Sequence, residues 1–228
     1  MRKQLIVACL ALAAFAVVPS LASAKPVLTH PTGTVAPVGT KITATNVGNA
    51  TLSNGLGHVT CSTAILTGEV TSNSTANGIQ GTLTKAEFGG TGSKIVNDPE
   101  PECTGTGFYA GGAGVTTNPP YCLQAIGTTD TVAIRGGACG GVLGKPTFKL
   151  SVTTIFGTVT CEYASTSAEG LTGSLVTDAS GQQAEGSLSE QGFTKTAGSG
   201  GECPSEGKLS MTVKLETDGT VTPLYISP

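Results

Sequence analysis

The chain has 228 residues, of which 12% are charged, about half the usual share for a soluble domain. Residues 1–24 carry Arg2 and Lys3 and no acid, so the other 204 residues hold 10 bases against 15 acids, a formal charge of −5. That sign argues against nucleic acid and against an anionic membrane surface as partners, and Arg135 is the only arginine left to grip a phosphate.

Arg2-Lys3 precede the apolar run Leu5 to Val18, and Ala22-Ser23-Ala24 supplies the small residues that signal peptidase requires. Residues 1–24 are expected to be a signal peptide, with the mature chain beginning at Lys25. The run falls short of the roughly 20 apolar residues that span a bilayer, and no second stretch of that length follows. A lipid-modified Cys9 would leave only four apolar residues, from Leu5 to Ala8, ahead of the cut, too few for the leader's apolar region. The expected location is secreted or otherwise extracytoplasmic. Next, Lys25 to Gly39, with Pro26, Pro31 and Pro37, reads as an extended arm or edge segment.

Further along, the chain repeats itself. Val59-Thr60-Cys61 returns as Val159-Thr160-Cys161, and Leu66-Thr67-Gly68 as Leu171-Thr172-Gly173. Gly81-Thr82-Leu83-Thr84, ending at Phe88, returns as Gly186-Ser187-Leu188-Ser189, ending at Phe193, and Cys103 answers Cys203. The order implies two related units: residues 25–143, with the arm and a connecting loop, and residues 144–228. The stretch from Gly105 to Pro120, rich in glycine, reads as the largest irregular region.

Phe148, Leu150 and Val152 alternate with polar residues, as do Leu209, Met211, Val213 and Leu215. Period two marks strands with one buried and one solvated face. Gly-containing turn pairs recur at the short spacing of antiparallel sandwiches and barrels. The expected fold is all-β: two related tandem β-sandwich-like units, stabilised by disulfides.

Without the leader, six cysteines remain: Cys61, Cys103, Cys122, Cys139, Cys161 and Cys203. An even number in an exported chain reads as three disulfides, whereas zinc would need close pairs such as Cys-x-x-Cys. Equivalent cysteines should bond equivalently, which selects Cys61–Cys103 and Cys161–Cys203 and leaves Cys122 with Cys139. The competing map, Cys61–Cys203 with Cys103–Cys161, would accompany copies interleaved in one sheet system. Cys61 and Cys161 share the apolar face of their strands, so each partner is expected on a facing strand or core-side loop.

For chemistry, the mature chain has only two histidines. His30 lies in the arm, and His58 shares the outward face with Thr60. Neither has a placed partner, and no nucleophile elbow, zinc-protease helix or phosphate loop occurs. Asp98, Glu100 and Glu102 form an acidic loop with hard oxygens, stiffened by Pro99 and Pro101 and lacking a calcium-loop pattern. Arg135 inside the Cys122–Cys139 loop could contact an acidic partner, and Tyr109 with Tyr121 could form an aromatic patch or fill the core. No catalytic, cofactor or metal residue is assigned.

His30-Pro31-Thr32-Gly33-Thr34, Pro37-Val38-Gly39-Thr40, the Val-Thr-Cys elements, Arg135-Gly136-Gly137 and Pro223-Leu224-Tyr225-Ile226-Ser227 together resemble a family of uncharacterised exported β-rich proteins of actinobacteria. The resemblance implies location and cysteine pattern and brings no activity. The functional expectation is a secreted or envelope-associated binding or structural module without a cofactor. The alternative is a secreted hydrolase working through paired carboxylates.

Overall fold

Thr, Val and Ile set in alternation, and interrupted by glycine turns, leave the backbone little choice but strand. The computed structural model describes residues 24–89, 103–110, 112–127, 130–154, 157–218 and 222–227. Apart from Ala24, the expected leader lies outside the described residues, as does the loop of Asp98, Glu100 and Glu102.

The strands in chain order are β1 (Val27–Thr29), β2 (Lys41–Asn46), β3 (Ala50–Asn54), β4 (Gly57–Cys61), β5 (Thr63–Ser74) and β6 (Gly78–Gly89). They continue as β7 (Thr104–Gly105), β8 (Ala113–Thr117), β9 (Tyr121–Ala125), β10 (Thr131–Gly136), β11 (Thr147–Thr154) and β12 (Gly157–Ser165). The last are β13 (Leu171–Thr177), β14 (Ala184–Lys195), β15 (Glu206–Thr217), β16 (Thr222–Pro223) and β17 (Tyr225–Ser227). One 3₁₀ turn, Gly107–Tyr109, joins β7 to β8. The Gly105–Pro120 stretch, expected to be irregular, thus carries a turn and a paired strand: Ala113 and Val115 alternate, and β11 holds them in register.

Eight strands close into a barrel in the order β2-β5-β6-β9-β10-β13-β14-β15, with β15 returning to β2. The all-β expectation holds. The sheet curls into a barrel rather than stacking as sandwich-like units: β5, β6, β14 and β15 are each 12 residues long, and β5, β6 and β14 are bulged. Register shifts at Thr67/Gly68, Val70/Ser72 and Leu188/Gln191 bend the sheet until its edges meet. Ile42, Leu66, Leu83, Leu175, Leu188 and Leu215 face the core. Thr43, Thr45, Thr67, Glu69, Lys214 and Glu216 alternate outward, polar where a membrane-spanning barrel carries an apolar band.

The long strands β14 and β15 outrun the barrel. Their extensions pair with β12 and β3 instead of β13 and β2, and lead into a second ring through β11 and β8 on one side, β4 and β7 on the other. A single bridge, Cys103 to Ala113, with N–H···O distances of 2.9 and 3.0 Å, joins those two sides. The opposite end of the barrel is capped by β1 paired with β17, which buries Leu28 and Leu224. The proline-rich arm is therefore an edge segment tied down along its length.

Matching registers recur about one hundred residues apart. The β3–β4 hairpin sets Ala50 against Cys61 and Leu52 against Val59. One hundred residues on, β11–β12 sets Leu150 against Cys161 and Val152 against Val159. Likewise Glu69 faces Thr82 and Val70 faces Gly81, as Ser174 faces Ser187 and Leu175 faces Gly186. A Cβ on Gly68 would stand 2.3 Å from the Thr82 carbonyl oxygen, and one on Gly173 would stand 2.2 Å from that of Ser187. In the ring, β2-β5-β6-β9 and β10-β13-β14-β15 are consecutive halves of one barrel.

The disulfides are Cys61–Cys103, Cys122–Cys139 and Cys161–Cys203. The repeat pairing and a common sheet coexist because the first and third bonds lie inside each half's own extra hairpin region, away from the barrel seams. Cys103 meets Cys61 from the neighbouring strand, not a facing one. Thr60 pairs with Thr104, so the cysteines follow side by side, with Cα atoms 4.5 Å apart, the spacing of a non-hydrogen-bonded antiparallel pair. Cys203 comes from the turn between β14 and β15, a core-side loop.

Candidate functional site

Where the barrel interior meets the second ring, the side chains leave a cavity of about 90 Å³. Leu66, Leu83, Ile134, Leu171, Leu188 and Met211 line its barrel side. Ala50, Leu52, Val115, Phe148, Phe193 and Leu209 line the other. The sequence places each on the inward phase of its strand, so the chamber results from alternation on many strands at once. Phe148 packs edge-on against Phe193 with centroids 4.7 Å apart and stacks on Tyr163 at 5.4 Å.

The wall is almost wholly apolar. Thr117 and Tyr121 reach it with hydroxyls that are already engaged: Thr117 Oγ1 donates to the Ala86 carbonyl at 2.7 Å, and the Tyr121 hydroxyl donates to the Thr147 carbonyl at 2.8 Å. The Asn118 amide donates in turn to the Tyr121 oxygen at 2.8 Å. Burial raises the Tyr121 pKa, only partly countered by that amide. Beyond the chamber, Tyr109 and Tyr163 are fully buried, and burial pushes both phenols up. Asn54 donates to the Tyr109 hydroxyl, and the Tyr163 hydroxyl donates to the Pro204 carbonyl at 3.1 Å. Tyr109 and Tyr121 are therefore core, not a surface patch: each ring lies inward and its hydroxyl finds backbone or amide partners.

The other candidates from sequence are dispersed. His58 is exposed on the outward face, with Nδ1 3.0 Å from Thr106 Oγ1. His30 sits in the turn after β1, its amide donating to Thr34. Arg135 is held by Glu169, whose carboxylate it pairs with and whose carbonyl accepts from Nε at 3.2 Å. That contact occupies the guanidinium offered above to an acidic partner. Carboxylates pair with lysines around the surface, as in Lys149–Glu162, Lys208–Glu190 and Lys85–Glu87. Asp178 accepts from the Gln182 amide, Lys214 Nζ and Ser180 Oγ, which hold its carboxyl far below the ordinary range, opposite to what a general acid needs. Among the described residues, no group of three or more His, Cys, Asp or Glu could hold a metal, and no helix is long and apolar enough to cross a membrane.

Fold and site together define a disulfide-stapled β-barrel protein with an internal apolar chamber. No family model matches the chain, and no curated protein or solved structure matches it either. The chamber itself had no sequence signal, since its wall consists of ordinary strand residues far apart in the chain.

Proposed function

We propose that this chain is an extracytoplasmic, non-enzymatic binding module that holds an apolar molecule inside its sheet. The observation carrying the reading is the chamber, a concave site with an apolar wall whose Thr117 and Tyr121 hydroxyls are engaged by the protein itself. Three disulfides fit an oxidising compartment, in keeping with the expected leader over residues 1–24 and the resemblance to exported proteins of actinobacteria. The matched hairpin registers support an origin by internal duplication. Against the hydrolase alternative stand the ion pairs that occupy carboxylates singly around the surface.

A thermal-shift screen of uncharged apolar compounds, run beside turnover assays on glycosides and esters, tests the reading. A compound that binds only the folded state raises Tm by mass action. At least one is expected to do so, with no turnover. Turnover abolished by a single Glu→Gln substitution would replace the binder with the hydrolase.

A further inference from the structure

We infer that the chamber takes one compact, uncharged molecule of about aromatic-ring size, an inference that rests on the chain being a binding module. Size comes from volume. A dry apolar cavity of about 150 Å³ binds benzene, so a cavity of about 90 Å³ sets a single small ring as its upper limit. A long alkyl chain exceeds that room, and neither end of the two rings extends it. The barrel end is filled by Leu28 and Leu224, and the far end of the second ring by Tyr109 and Tyr163, all essentially inaccessible.

Charge and polarity come from the wall. A buried water needs two to four polar partners, and the hydroxyls of Thr117 and Tyr121 are bonded to backbone. An ion or a polar headgroup would be stripped of water with no partner to replace it. Aromatic preference comes from Phe148 and Phe193, whose edge-to-face pair at 4.7 Å lines one side of the space and suits a further ring. Phe88, Val115, Phe148 and Leu209 pack on the core yet remain only partly buried. A ligand in the chamber would cover apolar surface that the protein leaves bare.

Benzene is the probe, and Met211 is the reporter. Met1 and Met211 are the only two methionines of the chain, and Met211 lies on the chamber wall. In full-length, disulfide-intact protein labelled at the methionine methyl, benzene is expected to move the Met211 resonance saturably and to raise Tm. Ala86→Leu, which grows a lining side chain into the space, is expected to abolish both responses while keeping the dispersed methyl spectrum of a folded protein. No saturable shift in the wild type would overturn the inference, and that arm does not depend on whether the variant folds. A Met211 shift with a long-chain alcohol but none with benzene would overturn the size assignment and leave the binding reading standing. Silence with every apolar compound would remove both.

Discussion

Asp178 organises the β13–β14 turn through three donors, the Gln182 amide at 2.9 Å, Ser180 Oγ at 2.8 Å and Lys214 Nζ at 2.9 Å. All three favour the ionised carboxylate, so its pKa is depressed in the folded state. The stability it contributes is present above the unfolded value, about 3.9, and is lost as pH falls below it. Lys214 mirrors this. Its pKa is raised by Asp178, so its contribution is present below the unfolded lysine value of about 10.4 and fades at higher pH. Asp178→Asn should therefore lower the urea midpoint at pH 7, and the gap to wild type should narrow steadily as pH falls through the ordinary aspartate range. Two glycines test a different kind of constraint. Gly68→Ala and Gly173→Ala each drive a methyl into a neighbouring carbonyl, at 2.3 and 2.2 Å. Each should cost roughly 1–3 kcal/mol, the scale of overpacking, in denaturant melts, and the two losses should be similar.

At the level of elements, one side chain adds to the backbone pairing that holds the arm. Asn73 accepts from the Leu28 amide through Oδ1 and donates through Nδ2 to the carbonyls of Leu28 and Ala36, each at 2.8 Å. Asn73→Ala leaves part-buried backbone groups without a partner, at a cost of about 1–3 kcal/mol per group, and should expose β1 to limited proteolysis before the barrel is cut. Strands such as β11 and β15 were legible because Phe148–Val152 and Leu209–Leu215 alternate over whole elements. β8 was hidden by its surroundings: Gly111, Gly112 and Pro119-Pro120 flank a strand only five residues long. Barrel closure was illegible for another reason. Alternation says which face a residue occupies and nothing about the neighbouring strand, so Ala44 opposite Leu215 leaves no local trace. The chamber is harder still, since Leu66, Ile134, Phe148 and Leu209 carry no pattern beyond their own strands.

Across the molecule, the disulfides lock loops of unequal length. Cys61–Cys103 and Cys161–Cys203 each have a sequence separation of 42, and Cys122–Cys139 one of 17. Chain entropy assigns about 4 kcal/mol to each longer loop and about 3 kcal/mol to the shorter. Double Cys→Ser replacement at either long bridge should thus lower stability by similar amounts, read as a change in chemical-denaturation midpoint, and the short bridge by less. Unequal losses at the two long bridges would show that native strain or residual unfolded structure outweighs loop length.

The pairing of β2 with β15 also sets a timetable. Ile42 meets Thr217, and Asn46 meets Val213, across most of the chain. Hairpins such as β5–β6 and β11–β12 can zip within a few residues of their turns, but contacts at such separation form slowly, because the intervening chain must first be gathered. During vectorial synthesis the first barrel strand waits, one edge unpaired, for nearly the last one to emerge. A ring that only β15 can complete keeps one seam open until nearly the whole chain is present, so closure is the last step of assembly, not the first.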